Sequence, residues 1–285
     1  MGRLTSKQYI LAALARHGFF FKKRLGQNFL IDGNIASMIV DAALVNGHSN
    51  AIEIGAGAGA LSELLAEKLE KLILVEIDPF VVKMLVEEFQ TYPNVSIVHG
   101  DFLKLDMVNV MRGMSESYAA VSNLPYYIST PILSKLAFAE NPPERIVATM
   151  QKEVADRIAA KVGSKQYGAF SILLGNLYEA EVLFAISPNC FFPAPKVEST
   201  ALALNRRPKP LAGDISKDEL SKLVHGCFGM RRKTLANNLS ASYSISKELA
   251  SNILQKADIS PSERAEKLEI NDFARLHEAM RSELM

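Results

Sequence analysis

Between residues 51 and 161 the chain alternates short β-rich runs with stretches of helical periodicity, and this alternation limits the fold more than any other feature. The runs Ala51–Ile54, Leu72–Ile77, Val95–Val98, Ala119–Val121 and Ile146–Met150 are interleaved with helical patterns at Leu61–Leu69, Pro79–Phe89, Pro131–Phe138 and Glu153–Lys161. Successive parallel strands need a long crossover between them, so strands separated by helices predict an open α/β fold with a parallel sheet and helices on both faces. Upstream, Asp32 or Asn34 is placed to cap a helix whose apolar positions Ile35, Met38, Ile39, Ala42 and Ala43 recur at helical spacing. In such folds ligands bind outside the carboxyl ends of the strands, which makes the residues just after each run the candidates for a site.

The alternation then breaks. Glu181–Ile186 and Val197–Leu204 read as two strands joined by the proline-bracketed loop P-N-C-F-F-P-A-P-K, a spacing that suits an antiparallel hairpin at the sheet edge. Beyond Arg206-Arg207-Pro208-Lys209-Pro210 every pattern is helical: Lys217–Phe228, Lys233–Leu239, Ser246–Lys256 and Ile270–Met280. A small all-helical domain is expected to follow the α/β domain, with the boundary at residues 206 and 207.

At 285 residues and 48% hydrophobic the chain is able to bury a substantial core. Its net charge is only +1, yet Arg3, Lys7, Arg16, Lys22, Lys23 and Arg24 precede the first acidic residue, Asp32, and further clusters occur at Arg206-Arg207 and Arg231-Arg232-Lys233. Such clusters in a near-neutral protein suit a surface that meets phosphates on one side, the plainer reading of each being a solvated face. Two cysteines, Cys190 and Cys227, lie far apart without metal-ligand spacing. They argue for a reducing compartment and against a disulfide framework or a zinc site. No apolar run approaches a membrane span, and the apolar segment Tyr9–Leu14 is too short, and interrupted too soon by Arg16 and His17, for a signal peptide. A cytoplasmic protein with no bound metal and no membrane partner is expected.

The first β run leads directly into Glu53-Ile54-Gly55-Ala56-Gly57-Ala58-Gly59-Ala60. Glycines here let the backbone turn tightly and let a ligand approach the main chain. Gly55, Gly57 and Ala60 also satisfy the dinucleotide pattern, and Glu76, at the end of the second run, suits the ribose of either NAD or S-adenosylmethionine. A third acid separates the two. Asp101, in H-G-D-F after the third run, is placed to accept from an adenine amine, with Phe102 beside the ring. Acids after three successive strands form the pattern of class I (Rossmann-like) S-adenosylmethionine-dependent methyltransferases, which makes S-adenosylmethionine the expected cofactor and S-adenosylhomocysteine its product.

Asn123-Leu124-Pro125-Tyr126 then falls at the end of the fourth run. An adenine amino nitrogen is a poor nucleophile because its lone pair is delocalised into the ring. Acceptance of its two hydrogens by the Asn123 side-chain oxygen and the Leu124 carbonyl would let it pyramidalise toward a methyl donor. Asn is no base, so the chemistry is in-line displacement driven by positioning, with the proton leaving to water. Pro125 stiffens the loop, and Tyr126 offers a face for the base worth roughly 1–3 kcal/mol, which approximately offsets the few kcal/mol of unstacking a nucleotide.

At this point the chain resembles the ribosomal RNA adenine dimethyltransferases, in particular the bacterial KsgA (RsmA) group that acts on small-subunit RNA. The matching segments are R-L-G-Q-N-F-L from Arg24, E-I-G-A-G-A-G-A-L-S from Glu53, N-L-P-Y-Y-I-S-T-P from Asn123, Q-K-E-V-A-D-R-I from Gln151, F-F-P-A-P-K-V-E-S from Phe191 and F-G-M-R-R-K-T-L-A-N-N-L from Phe228. The resemblance implies that Gln27, Asn28 and Leu30 join Gly55, Gly57, Glu76, Asp101, Phe102 and Asn123 around the cofactor. Phe191 would sandwich the target adenine opposite Tyr126, with Phe192 as its competitor. Arg231, Arg232 and Lys233 would touch RNA phosphate or the ribosome, and Tyr127 is read as packing. The implied activity is dimethylation of two adjacent adenosines near the 3′ end of small-subunit ribosomal RNA, within immature subunits, by a monomer. The expected domains are a basic N-terminal arm at 1–23, a catalytic domain at 24–206 and a helical domain at 207–285. Residues 1–23 read equally as an arm that orders on RNA or as a short helix packed on the catalytic domain. The related Erm group, which modifies large-subunit RNA, is disfavoured by the Y-Y-I-S-T, F-F-P-A-P-K and R-R-K-T-L segments.

Overall fold

The alternating runs form one seven-stranded mixed sheet, seen in a computed structural model that describes residues 2–22 and 26–284. The strands are β1 (Phe29–Leu30), β2 (Asn50–Ile54), β3 (Lys71–Glu76), β4 (Val95–His99), β5 (Ala119–Asn123), β6 (Arg145–Gln151), β7 (Tyr178–Ile186), β8 (Phe191–Phe192) and β9 (Ser199–Arg206). Their order in the main sheet is β4-β3-β2-β5-β6-β9-β7. Neighbours from β4 to β6 run parallel, and β9 pairs antiparallel with β6. The two late strands are therefore adjacent at one edge, with β9 inside and β7 outermost. β1 and β8 make a separate antiparallel ribbon that sets Phe29 opposite Phe192 and Leu30 opposite Phe191.

Strands β2, β3 and β6 are buried along almost their whole length, as expected of parallel strands covered by crossover helices. The helices after β2 and β3 span Ala60–Ala66 and Pro79–Glu88, and the one after β5 spans Ser129–Ala137. Asp32 caps the helix Gly33–Leu44 by accepting from the backbone N–H groups of Asn34 and Ile35. That helix buries Ala36, Ile39, Val40 and Ala43, whereas Met38, expected on the apolar face, is 46% exposed.

Of the two readings of residues 1–23, a packed helix is what Lys7–Arg16 forms; Lys23, like Arg24 and Leu25, lies outside the described residues. Leu4, Ile10, Ala13 and Leu14 enter the core of the sheet-bearing unit. The buried Glu88 carboxylate accepts from Arg3 at 2.6 Å and from the Tyr9 hydroxyl at 2.7 Å. The preceding basic residues are thus partly consumed in holding the segment on the helix Pro79–Glu88.

The chain divides into two compact units, Met1–Ala155 with Glu181–Arg206, and Asp156–Ala180 with Arg207–Met285. The second unit takes up residues 156–180, ahead of the boundary at 206 and 207. It contains the helices Ala169–Leu177, Lys217–Phe228, Leu235–Tyr243, Lys247–Lys256 and Ile270–Leu284. Its helix Lys217–Phe228 opens with a reciprocal Ser216–Glu219 cap. Leu220, Val224, Ile253, Phe273 and Leu276 are fully buried in that unit.

Candidate active site

Strand order reverses between β2 and β5: β3 and β4 continue on one side of β2, β5 and β6 on the other. A crevice outside the carboxyl ends is expected at such a switch point. A cleft of about 590 Å³, open solvent at its mouth included, lies there. Gly55 and Gly57 enter it after β2, Glu76 and Ile77 after β3, and Asn123 to Ile128 after β5, while Gly26 to Phe29 close it from the N-terminal side.

The loop after β2 is shaped by positive φ at Gly55, Gly57 and Gly59. At Gly57 a side chain would also meet the Phe29 ring at 3.2 Å. The Gly57 N–H donates to Glu76 Oε2 at 2.9 Å, and Glu76 Oε1 accepts from the N–H groups of Ile77 at 2.8 Å and Asp78 at 2.9 Å. One carboxylate therefore clamps the glycine loop to the end of β3. Three of its roughly four acceptor sites are taken, which leaves capacity for a hydroxyl in the cleft. Burial is the largest influence on Glu76 and raises its pKa, against the pull of these backbone donors. Glu53, at 1% exposure, lies below the loop with its carboxyl bonded to Ser62 Oγ at 2.5 Å. Burial pushes it up to about 8. Asp78 is fully buried and receives Lys22 Nζ at 2.9 Å and Gln27 Nε2 at 3.1 Å, which ties the N-terminal side of the cleft to β3.

This arrangement discriminates between ligands. The Gly57 N–H, which a glycine loop of this kind could offer to a phosphate, is already given to the Glu76 carboxylate. A pyrophosphate oxygen would find this donor already taken, beside the Glu76 carboxylate.

Asn123 is half-buried. Its Nδ2 donates to the Asn28 carbonyl at 2.8 Å and its Oδ1 accepts from Thr149 Oγ1 at 2.5 Å. The Leu124 N–H donates to the Thr149 carbonyl at 3.1 Å. The Tyr126 hydroxyl bonds Ser199 Oγ at 2.5 Å, and burial raises its pKa. The side chain of Asn28 folds back onto the Gly26 carbonyl, and Gln27 Oε1 accepts from the Lys22 N–H.

Gln27, Asn28, Gly55, Gly57, Glu76, Asn123, Leu124, Pro125 and Tyr126 are thus brought to one cleft. Four expected residues are not in its lining. Leu30 is buried, and its neighbour Phe29 borders the cleft instead, because successive side chains of a strand take opposite faces. Phe191 lies opposite Leu30 in the ribbon and is only 2% exposed, so no base reaches its face in this arrangement. Phe192 shares the face of Phe29 and is half-buried, against Phe21 and beneath Lys7 Nζ. Neither phenylalanine is in the lining of the cleft, and of the two Phe192 is the more exposed. Asp101 follows β4 as expected, but its Oδ1 closes a turn onto the Leu103 N–H at 3.0 Å, and Phe102 is buried. Lys135 Nζ holds this turn by donating to the carbonyls of Phe102, Leu103 and Leu105 at 2.6–3.1 Å.

Other participants emerge only from the coordinates. Ile77, 40% exposed, lines the cleft beside Glu76. Tyr127, read as packing, is 54% exposed and stands over Gly26 at the cleft. In the second unit Arg231, Arg232 and Lys233 are exposed between two helices, and the Arg231 guanidinium donates to the Lys165 carbonyl at 2.6 Å. Among the described residues no group of three His, Cys, Asp or Glu side chains is arranged to hold a metal ion, and no helix is long and apolar enough to cross a membrane.

Over 285 residues the chain is 42% identical to the ribosomal RNA small subunit methyltransferase A of Streptococcus thermophilus (strain CNRZ 1066), with 98% of each chain covered. Over 271 residues it is 42% identical to the protein of the same name from Bacillus cereus (strain B4264), with 93% of each covered. Among solved structures it shares the fold of a dimethyladenosine transferase from Plasmodium falciparum, with TM-score 0.77 and 23% identity over 90% of this chain and 98% of that one. It also shares the fold of the 23S rRNA methyltransferase ErmE, with TM-score 0.68 and 24% identity over 89% and 100%. The family model described as ribosomal RNA adenine dimethylase matches residues 18–281, and the chain is a member of that family.

Proposed function

We propose that the cleft binds S-adenosylmethionine and that the protein dimethylates the exocyclic amine of two adjacent adenosines near the 3′ end of small-subunit ribosomal RNA. The observation that carries the reading is the pairing of Asn123, oriented with a side-chain oxygen available, with a glycine loop whose phosphate donor is filled by Glu76. When bound, S-adenosylmethionine supplies a methyl group on a cationic sulfonium. The residual acceptor site on Glu76 suits a ribose hydroxyl, and Ile77 offers an apolar face to the adenine. Asn123 Oδ1 and the Leu124 carbonyl accept the two hydrogens of the target amine and free its lone pair. Neither is a base, so the displaced proton passes to water. The Tyr126 ring, anchored through its hydroxyl to Ser199, stacks on the extruded base. Asp101 and Phe102 follow directly on Gly100, whose N–H is bonded to the Glu76 carbonyl at 2.9 Å, and are assigned to the adenine end of the cofactor.

The names of the relatives support the small subunit as substrate. Arg231, Arg232 and Lys233 supply exposed positive charge for phosphate contacts. The reading takes partly assembled subunits as the substrate, because a basic surface reads folded RNA shape more readily than sequence, and has the protein act as a monomer in the cytoplasm. Calorimetric titration with S-adenosylmethionine tests the cofactor: binding by the wild type and its loss in Glu76→Ala are expected, and unchanged binding by the variant would remove Glu76 from the site. Equal methyl uptake by naked RNA and immature particles would overturn the assembled substrate.

A further inference from the structure

A carboxamide presents an oxygen and an NH₂ of nearly the same outline, and only one of its two orientations offers the oxygen to an adenine amine. The surroundings of Asn123 select that orientation from two sides. Its Nδ2 lies 2.8 Å from the Asn28 carbonyl, which accepts and never donates. Its Oδ1 lies 2.5 Å from Thr149 Oγ1, a hydroxyl able to donate. Rotation of the amide by half a turn would set two acceptors against each other at Asn28.

The two anchors differ in kind. Asn28 belongs to the segment leading into the short ribbon strand β1, outside the main sheet. Thr149 is fully buried in β6 and stands in register with Asn123 across the parallel β5–β6 pair. Its carbonyl also accepts the Leu124 N–H at 3.1 Å. One residue of the rigid sheet therefore holds the Asn123 side chain and the Leu124 backbone together, the two groups between which the target amine is shared. The hydroxyl occupies one acceptor site of Oδ1 and leaves the other for a second donor.

We propose that Thr149 is a positioning residue for methyl transfer: its buried hydroxyl fixes the direction of the Asn123 oxygen while its main chain fixes Leu124. The inference rests on the function proposed above. It assigns the chemical step, and not cofactor affinity, to a side chain that never touches either substrate. Replacement by valine keeps the shape of the residue and its backbone bond, removes the donor, and leaves Oδ1 facing a methyl group.

The test compares the full-length wild type with Thr149→Val and Thr149→Ser in steady-state methyl transfer to small subunits lacking these methyls, beside calorimetric affinity for S-adenosylmethionine. Assays run well below the unfolding midpoint of each protein, and Thr149→Ala takes the place of valine should that variant not fold. The expected result is a fall in kcat of about tenfold or more in Thr149→Val, equivalent to about 1.4 kcal/mol or more at the transition state. Cofactor affinity is unchanged, and Thr149→Ser returns kcat to near the wild-type rate. A wild-type kcat in Thr149→Val, an equal loss in Thr149→Ser, or a loss confined to cofactor affinity would each overturn the proposal. Absence of transfer by the wild type itself would instead refute the proposed function.

Discussion

The carboxyl of Glu53 makes the stability of this fold depend on pH in a direction opposite to that of most acids. It is 1% exposed, and burial, the largest cause, moves its pKa from an ordinary 4.5 to about 8, with the Ser62 hydroxyl opposing and the charge of Glu76 adding to the rise. In the unfolded chain the group ionises near 4.5, while in the native protein it keeps its proton to about 8. Over that window the native state binds one more proton than the unfolded state, so stability falls as pH rises. At about 1.4 kcal/mol per pH unit, the interval corresponds to an upper figure of about 5 kcal/mol. Glu53→Gln keeps the shape and an acceptor for Ser62 but has no proton to lose. Urea unfolding of both proteins at pH 5, 6, 7 and 8 isolates the effect of this carboxyl and its coupling to Glu76, because the titrations of more distant groups are shared. The wild type is expected to lose several kcal/mol relative to Glu53→Gln between pH 5 and 8, most of it before the upper end. A difference that stays constant within about 1 kcal/mol across the series would refute the claim that this buried carboxyl is neutral at pH 7.

The ribbon phenylalanines separate by assay: Phe191→Ala, which empties a buried position, should cost about 3–5 kcal/mol in unfolding free energy. Phe192→Ala, at the more exposed position, should cost little stability and reduce kcat/KM for the RNA, and an unchanged kcat/KM in this variant would leave Phe191 as the stacking residue. Lys135→Met removes three donors from the turn that carries Asp101 and Phe102. The KM for S-adenosylmethionine should rise several-fold with kcat nearly unchanged, and an unaltered KM would detach that turn from the cofactor site.

The sheet was legible because its cues are local: β runs, helical periodicity and the residues that end each strand. The same cues carried the glycine loop, Glu76 and Asn123–Tyr126, since anything just beyond a parallel strand must lie at the carboxyl edge. What was not legible is which of two neighbours turns inward. In ribbon strands of two residues no period develops, so Phe29 and Leu30, like Phe191 and Phe192, are indistinguishable until pairing sets their faces. Asp101 ends its strand as expected, but an Asp so placed also closes turns, and that competing use took its Oδ1. Thr149 and Ser199 read as ordinary strand residues, for their partners Asn123 and Tyr126 are 26 and 73 residues away and meet them only through sheet register and folding. Residues 156–180 begin inside the helical pattern Glu153–Lys161, and only tertiary packing groups them with the C-terminal helices.

The most direct test of the central claim is transfer of labelled methyl groups from S-adenosylmethionine to small ribosomal subunits lacking them, run beside large subunits and followed by nucleoside analysis. The account predicts dimethyladenosine confined to the small subunit, in two adjacent residues near the 3′ end of its RNA. Label on the large subunit alone, or none on either, would contradict it.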